Sequence, residues 1–147
     1  WLYREPPPVD WGHMPQDLKA FAGSTLNRRA NAVAKLARRW EQLDEEQRHT
    51  LRKQVKKLRY AAEFFSTLYG ADAVKKYLAS QQAMQKVLGA MNDAAVAHLM
   101  LQDVAAENPG MGFAAGAVAG WYEATSDVAL EKAEEPLQAL QQAKPFW

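Results

Sequence analysis

Along most of the chain apolar side chains return every three or four residues, the spacing of a helix that buries one face. In a first helix, expected from about Pro15 to Leu43, Val33, Leu36 and Trp40 share that face. In a second, Leu51, Val55, Leu58, Ala62, Phe65 and Tyr69 share it. Asp44, Glu45 and Glu46 open this second helix, where acids complement the positive end of the dipole, and Gly70 stops it after Tyr69. A third helix is expected from after Asp72 to about Glu107, ended by Asn108-Pro109-Gly110. A fourth spans Met111 to Glu135, with Pro136 breaking it ahead of a short amphipathic tail. Residues 1–14, with Pro6-Pro7-Pro8 and Gly12, read as an extended linker or arm. Isoleucine is absent and Val and Thr are sparse, so no stretch has the β-branched alternation of a strand. The predicted fold is all-α: an antiparallel up-down four-helix bundle over residues 15–147, because short connections force consecutive helices to lie side by side.

Glycines add detail to two of these helices. Gly112, Gly116 and Gly120 recur every four residues and form a ridge without side chains, read here as tight packing inside the bundle. Gly89, inside the third helix, costs about 1 kcal/mol relative to Ala and is read as a close helix contact. At 147 residues the chain can bury roughly two-thirds of its unfolded surface, enough for one core without staples. It has no cysteine, which suits a reducing compartment. The most apolar run, Met111–Tyr122, spans about a dozen residues where a bilayer needs about 20. The opening residues lack the charged start and apolar stretch of a signal peptide, so the expected location is cytoplasmic.

The net charge of +1 conceals a segregation that changes the picture. Residues 1–88 carry 16 Lys/Arg against 9 Asp/Glu, and residues 89–147 carry 2 against 8, which implies an anionic partner for the first part. The densest segment, Gln47 to Tyr60, holds six Lys/Arg and one His and no acid. At about 100° per residue, His49, Arg52, Lys53, Lys56, Lys57 and Arg59 fall opposite the apolar face, in a stripe that climbs about three turns, or about 16 Å. Pairs such as Lys53/Lys56, Lys53/Lys57, Arg52/Lys56 and Lys56/Arg59 stand at the spacings where like charges repel by a few tenths of a kcal/mol each. The stripe is locally unfavourable until an anion arrives, and Glu63 is the first acid on this face to limit it. Arg28, Lys35 and Arg39 of the first helix border the same groove if the first two helices pack as neighbours, and Lys86 of the third is a further candidate.

Chemistry other than binding finds less support. His13, His49 and His98 lack metal-ligand spacing, cysteine nucleophiles are absent, and between residues 47 and 88 the only acids are Glu63 and Asp72. No catalytic residue, metal or cofactor is assigned to this chain. Nucleic acid remains an alternative polyanion, though the basic face offers no stacking platform apart from Tyr60.

The run His49-x-Leu51-Arg52-x-x-x-Lys56-x-Leu58-Arg59-Tyr60-x-x-Glu63-Phe64, followed by Leu88-Gly89-x-x-Asn92-Asp93, resembles the second half of the CHAD family, the conserved histidine α-helical domain. The resemblance covers about Pro15 to Glu135. It implies two four-helix bundles lining a basic channel, of which this chain holds one, and non-catalytic binding of inorganic polyphosphate, often at polyphosphate granules. It also implies a CYTH-type triphosphatase domain as an attached or partner domain, so that an accessory role beside such an enzyme is an alternative. Carried over residue by residue, the family role falls on His49, Arg52, Lys56 and Arg59, with Lys53 and Lys86 as weaker members.

Overall fold

The computed structural model of the chain describes residues 17–147. Its regular elements are all helical: α1 (Leu18–Ala37), α2 (Glu45–Phe64), α3 (Ala71–Glu107), α4 (Gly112–Glu131) and α5 (Glu134–Gln142). Single tight turns at Trp40–Gln42, Ser66–Leu68 and Pro109–Met111 link them. The all-α antiparallel expectation is met, with five helices in place of four. The arm over residues 1–14 and the helix start at Pro15 lie outside the described residues.

Helix ends follow from local chemistry. The Asp17 carboxylate accepts from the backbone N–H groups of Lys19 and Ala20 at 2.9 and 3.2 Å and starts α1. Asp44 and Gln47 form a reciprocal capping box that starts α2. α1 ends at Ala37, short of the expected Leu43, because the chain tightens into a turn that tucks Trp40 and Leu43 into the core. α2 likewise ends at Phe64 rather than Tyr69, and Gly70 caps the start of α3 instead of stopping α2. Pro136 does not break α4. The helix ends at Glu131, and Pro136 sits in the first turn of α5, where its missing N–H has no intrahelical partner to lose.

The core unites Leu26, Val33 and Trp40 with Leu51, Val55, Leu58 and Ala62 of α2, Tyr77, Met84 and Leu88 of α3, and Leu140 of α5. α5, expected as a mere tail, therefore takes the fourth position of the bundle. Its seat is fixed by Gln141, whose amide donates to the Ala37 carbonyl at 2.9 Å, and by Trp147, whose indole donates to Asn27 at 2.9 Å. Phe146 and Trp147 meet the Tyr77 ring edge to face, with centroids 5.4 and 5.1 Å away. Burial holds the Tyr77 phenol well above its ordinary pKa.

α3 has 37 residues against 20 in α1 and α2, so at 1.5 Å per residue it overshoots the bundle by roughly 25 Å. α4 doubles back along that overhang and packs mainly on α3. No α4 residue joins the main core; its one buried residue is Ala115. The face toward α3 is a seam of mostly small residues, Ala115, Ala119, Ser126 and Ala129, with Tyr122 among them, all at least half-buried. The glycine ridge is not in that seam. A Cβ added at Gly112, Gly116 or Gly120 would meet nothing within 4 Å, and the same holds for Gly89. Both glycine readings are thus corrected: the ridge turns toward open space because α4 packs mainly on α3 and through another face, and Gly89 borders open space instead of a close helix contact. Among the described residues, no helix is long and apolar enough to cross a membrane.

Two measurements check this architecture. Leu58→Ala should lower unfolding free energy by about 2–5 kcal/mol in a denaturant titration, whereas Phe113→Ala, on the overhang, should cost well under about 1 kcal/mol. Stability should be insensitive to the Tyr77 phenol below the ordinary tyrosine pKa, since it is neutral in both states. As pH rises above about 10 the unfolded chain ionises while the buried phenol resists, so stability falls, and Tyr77→Phe should remove that part of the alkaline loss.

Candidate anion-binding face

α2 places its charged side chains by phase. With Leu51, Val55, Leu58 and Ala62 at most 1% exposed, Lys53, Lys56 and Lys57 must project to solvent, and all three are exposed. Arg52 and Arg59 lie on one flank of that row and are half-buried. The flank faces α3: at one end His49 reaches Asn92, and at the other Glu63 shares a surface notch with Leu78 and Gln82.

The row is nearly free of counter-charge. Among the described residues, the one carboxylate within 4.0 Å of a Lys or Arg of α2 is Glu63, 3.7 Å from Arg59 and too long for a hydrogen bond. Arg52, Lys53, Lys56 and Lys57 have no such partner among the described residues. Tyr60 organises two members instead, with Lys56 Nζ 5.7 Å and the Arg59 guanidinium 5.1 Å from its ring centre. Arg48, which sequence reasoning left out of the site, lies 5.2 Å from the Trp40 ring and is half-buried near the start of the same helix.

His49 sits differently from its neighbours on the stripe. It is half-buried, and its Nδ1 donates to the Asn92 amide oxygen at 3.0 Å. An amide oxygen only accepts, so Nδ1 carries the proton and Nε2 is left as the ring's other polar atom. This bond joins the two sequence motifs, which lie 43 residues apart, across the α2–α3 contact. In the sequence Asn92 stands out only as a motif member; no feature of the linear sequence shows that it orients His49. Beside this pair opens a notch of about 730 Å³, walled by Leu88, Met91, Val96 and Leu99 and rimmed by Asp44, Glu45 and Arg48.

The remaining candidates are on other helices. Arg28 and Lys35 are exposed on α1, Arg39 is exposed in the turn that follows it, and Lys86 is exposed on α3. α1 and α3 both pack on α2, and Arg28, Lys35 and Lys86 each stand on the solvent side of their own helix, opposite its buried residues. Arg39 is engaged within its own turn, its Nε donating to Gln42 at 3.5 Å. Among the described residues no cluster of three or more His, Asp or Glu is placed to hold a metal ion. The arrangement can do one thing well: present fixed forks and mobile point charges to an extended anion.

Asn92→Ala should free the His49 ring without unfolding the chain. The imidazole NMR signals should broaden or move, with a stability loss of about 1 kcal/mol, as for one neutral hydrogen bond.

The CHAD domain model matches residues 1–102. No curated protein and no solved structure matches the chain. The matched segment takes in α1, α2 and α3 as far as Gln102, including His49, Asn92 and the whole cationic row, while α4 and α5 lie beyond it. With both motifs inside a match that covers more than half of its length, the chain belongs to the CHAD domain family.

Proposed function

We propose that this chain binds inorganic polyphosphate, without catalysis, along the outer face of α2. The observation that carries the reading is the row itself: Lys53, Lys56 and Lys57 exposed on one helix with Arg52 and Arg59 half-buried beside them, and among the described residues a single carboxylate, Glu63, within 4.0 Å of any of the five. Polyphosphate is an unbranched anion with a charge on each unit, and a rigid ladder of cations can meet successive phosphates along its length. Arg52 and Arg59, half-buried and so restricted in rotamer, supply forked donors; Lys53, Lys56 and Lys57 supply mobile charges that follow the polymer. His49, oriented by Asn92, stands at the head of the row, and Arg28, Lys35, Arg39 and Lys86 extend the positive field to either side. Family membership supports the same ligand. In this reading the chain is the second four-helix half of such a domain, and in a longer protein it would bring an attached domain, such as a triphosphatase, to polyphosphate or its granules.

Combined replacement of Arg52, Lys56 and Arg59 by Ala should weaken binding of long-chain polyphosphate about a hundredfold, losing three charge-assisted contacts at once. Helicity by circular dichroism should be unchanged, since none of the three is a core residue. Undiminished retention by the triple variant would overturn the assignment. Competition distinguishes nucleic acid: polyphosphate should displace duplex DNA at far lower concentration than DNA displaces polyphosphate, and the reverse order would favour a nucleic-acid role. Incubation of the purified chain with triphosphate and Mg²⁺ should release no phosphate.

A further inference from the structure

We infer that the outer face of α4 is a docking surface for a cationic amphipathic helix of a partner protein. The face is the side of α4 turned away from α3. Ala114, Ala117, Val118, Trp121, Ala124 and Val128 share it by helical phase, with Phe113 at its edge. All are exposed, Phe113 to 91% and Trp121 to 63%. A solvated helix carries charge on the side opposite its packing partner; this one carries none there over about four turns. Ala114, Trp121 and Val128 repeat every seven residues, with Ala117 and Ala124 between them, which is the spacing that accepts another helix knob into hole. The open ridge of Gly112, Gly116 and Gly120 runs alongside and leaves room for a close approach.

Charge selects the occupant. Between Asp93 and Glu131 the α3–α4 overhang has six Asp/Glu and no Lys or Arg. Asp127 and Glu131 lie along the glycine side of the apolar face, while Glu123 stands nearer α3, its carboxylate 3.6 Å from His98 Nδ1. A helix with an apolar seam and lysines beside it satisfies both features, whereas an anionic lipid surface would be repelled. The chain's own segments do not fit. Residues 1–16 hold one Lys/Arg, Arg4, and three consecutive prolines, which no helix interior accepts. α1 starts at the far end of the bundle, where the Lys19 backbone carbonyl accepts from the Tyr69 hydroxyl at 3.4 Å, and the overhang leaves from the end marked by His49 and Asn92. A second copy is no better suited: its α4 would bring acid against acid, and its cationic α2 already spends its apolar side on its own core.

A synthetic three-heptad peptide with Leu at the seam and Lys at the flanks, fluorescently labelled, tests the surface by anisotropy at physiological salt. It should bind the whole chain, while a scrambled peptide of equal composition and a Glu-flanked analogue should not. The double change Phe113→Glu with Trp121→Glu should weaken binding at least about tenfold, as for loss of central anchors. Because both residues are exposed, helicity should be retained. Reversing the rim by Asp127→Lys and Glu131→Lys should shift the preference from the Lys-flanked to the Glu-flanked peptide, and the Arg52, Lys56 and Arg59 triple variant should bind like the parent. Equal binding of the scrambled peptide, or indifference to the Phe113/Trp121 change, would overturn the inference. So would a sedimentation-detected dimer of the parent chain that the same change dissociates, since it would put a second copy on the face.

Discussion

Burial of Leu51, Val55, Leu58 and Ala62 between α1 and α3 is the contact on which the rest of the molecule depends. A helix has one rotational setting that hides this stripe, and that setting leaves Lys53, Lys56 and Lys57 in water and Arg52 and Arg59 at the edge. Repulsion among the cations, a few tenths of a kcal/mol for each close pair, is outweighed by a core in which each fully buried leucine contributes about 2 kcal/mol. The apolar face thus holds together charges that would otherwise disperse, and the cationic face inherits the rigidity of the bundle.

Around that centre the chain separates into two bodies of different character. The bundle of α1, α2, the first half of α3 and α5 is closed by aromatic contacts of Tyr77 with Phe146 and Trp147 and carries nearly all of the positive charge. The overhang of α3 and α4 is held by a thin alanine-rich seam, carries only negative charge among its Lys, Arg, Asp and Glu residues, and leaves large apolar side chains in water. Charge segregation along the sequence is therefore also segregation in space. It puts two different surfaces on one small chain, one cationic and one apolar with acids nearby.

The His49–Asn92 bond shows why a motif can be recognisable before its mechanism is. The two residues were visible as members of two separated patterns. That one orients the other follows only from the register of α2 against α3, whose buried Leu51, Val55, Met84 and Leu88 belong to one core.

By itself the sequence determined the helical class, the buried stripe of α2, the purity of its cationic face and the family, because each depends on spacing within a single helix. Tertiary structure decided what depends on which helix meets which. It gave α5 rather than α4 the fourth place in the core, since α5 brings Leu140 and the closing tail back to Tyr77 while α3 is too long for α4 to return to the bundle. For the same reason the glycine ridge faces solvent: a periodic stripe specifies that a surface is smooth, and only the packing of neighbours specifies whether anything lies against it.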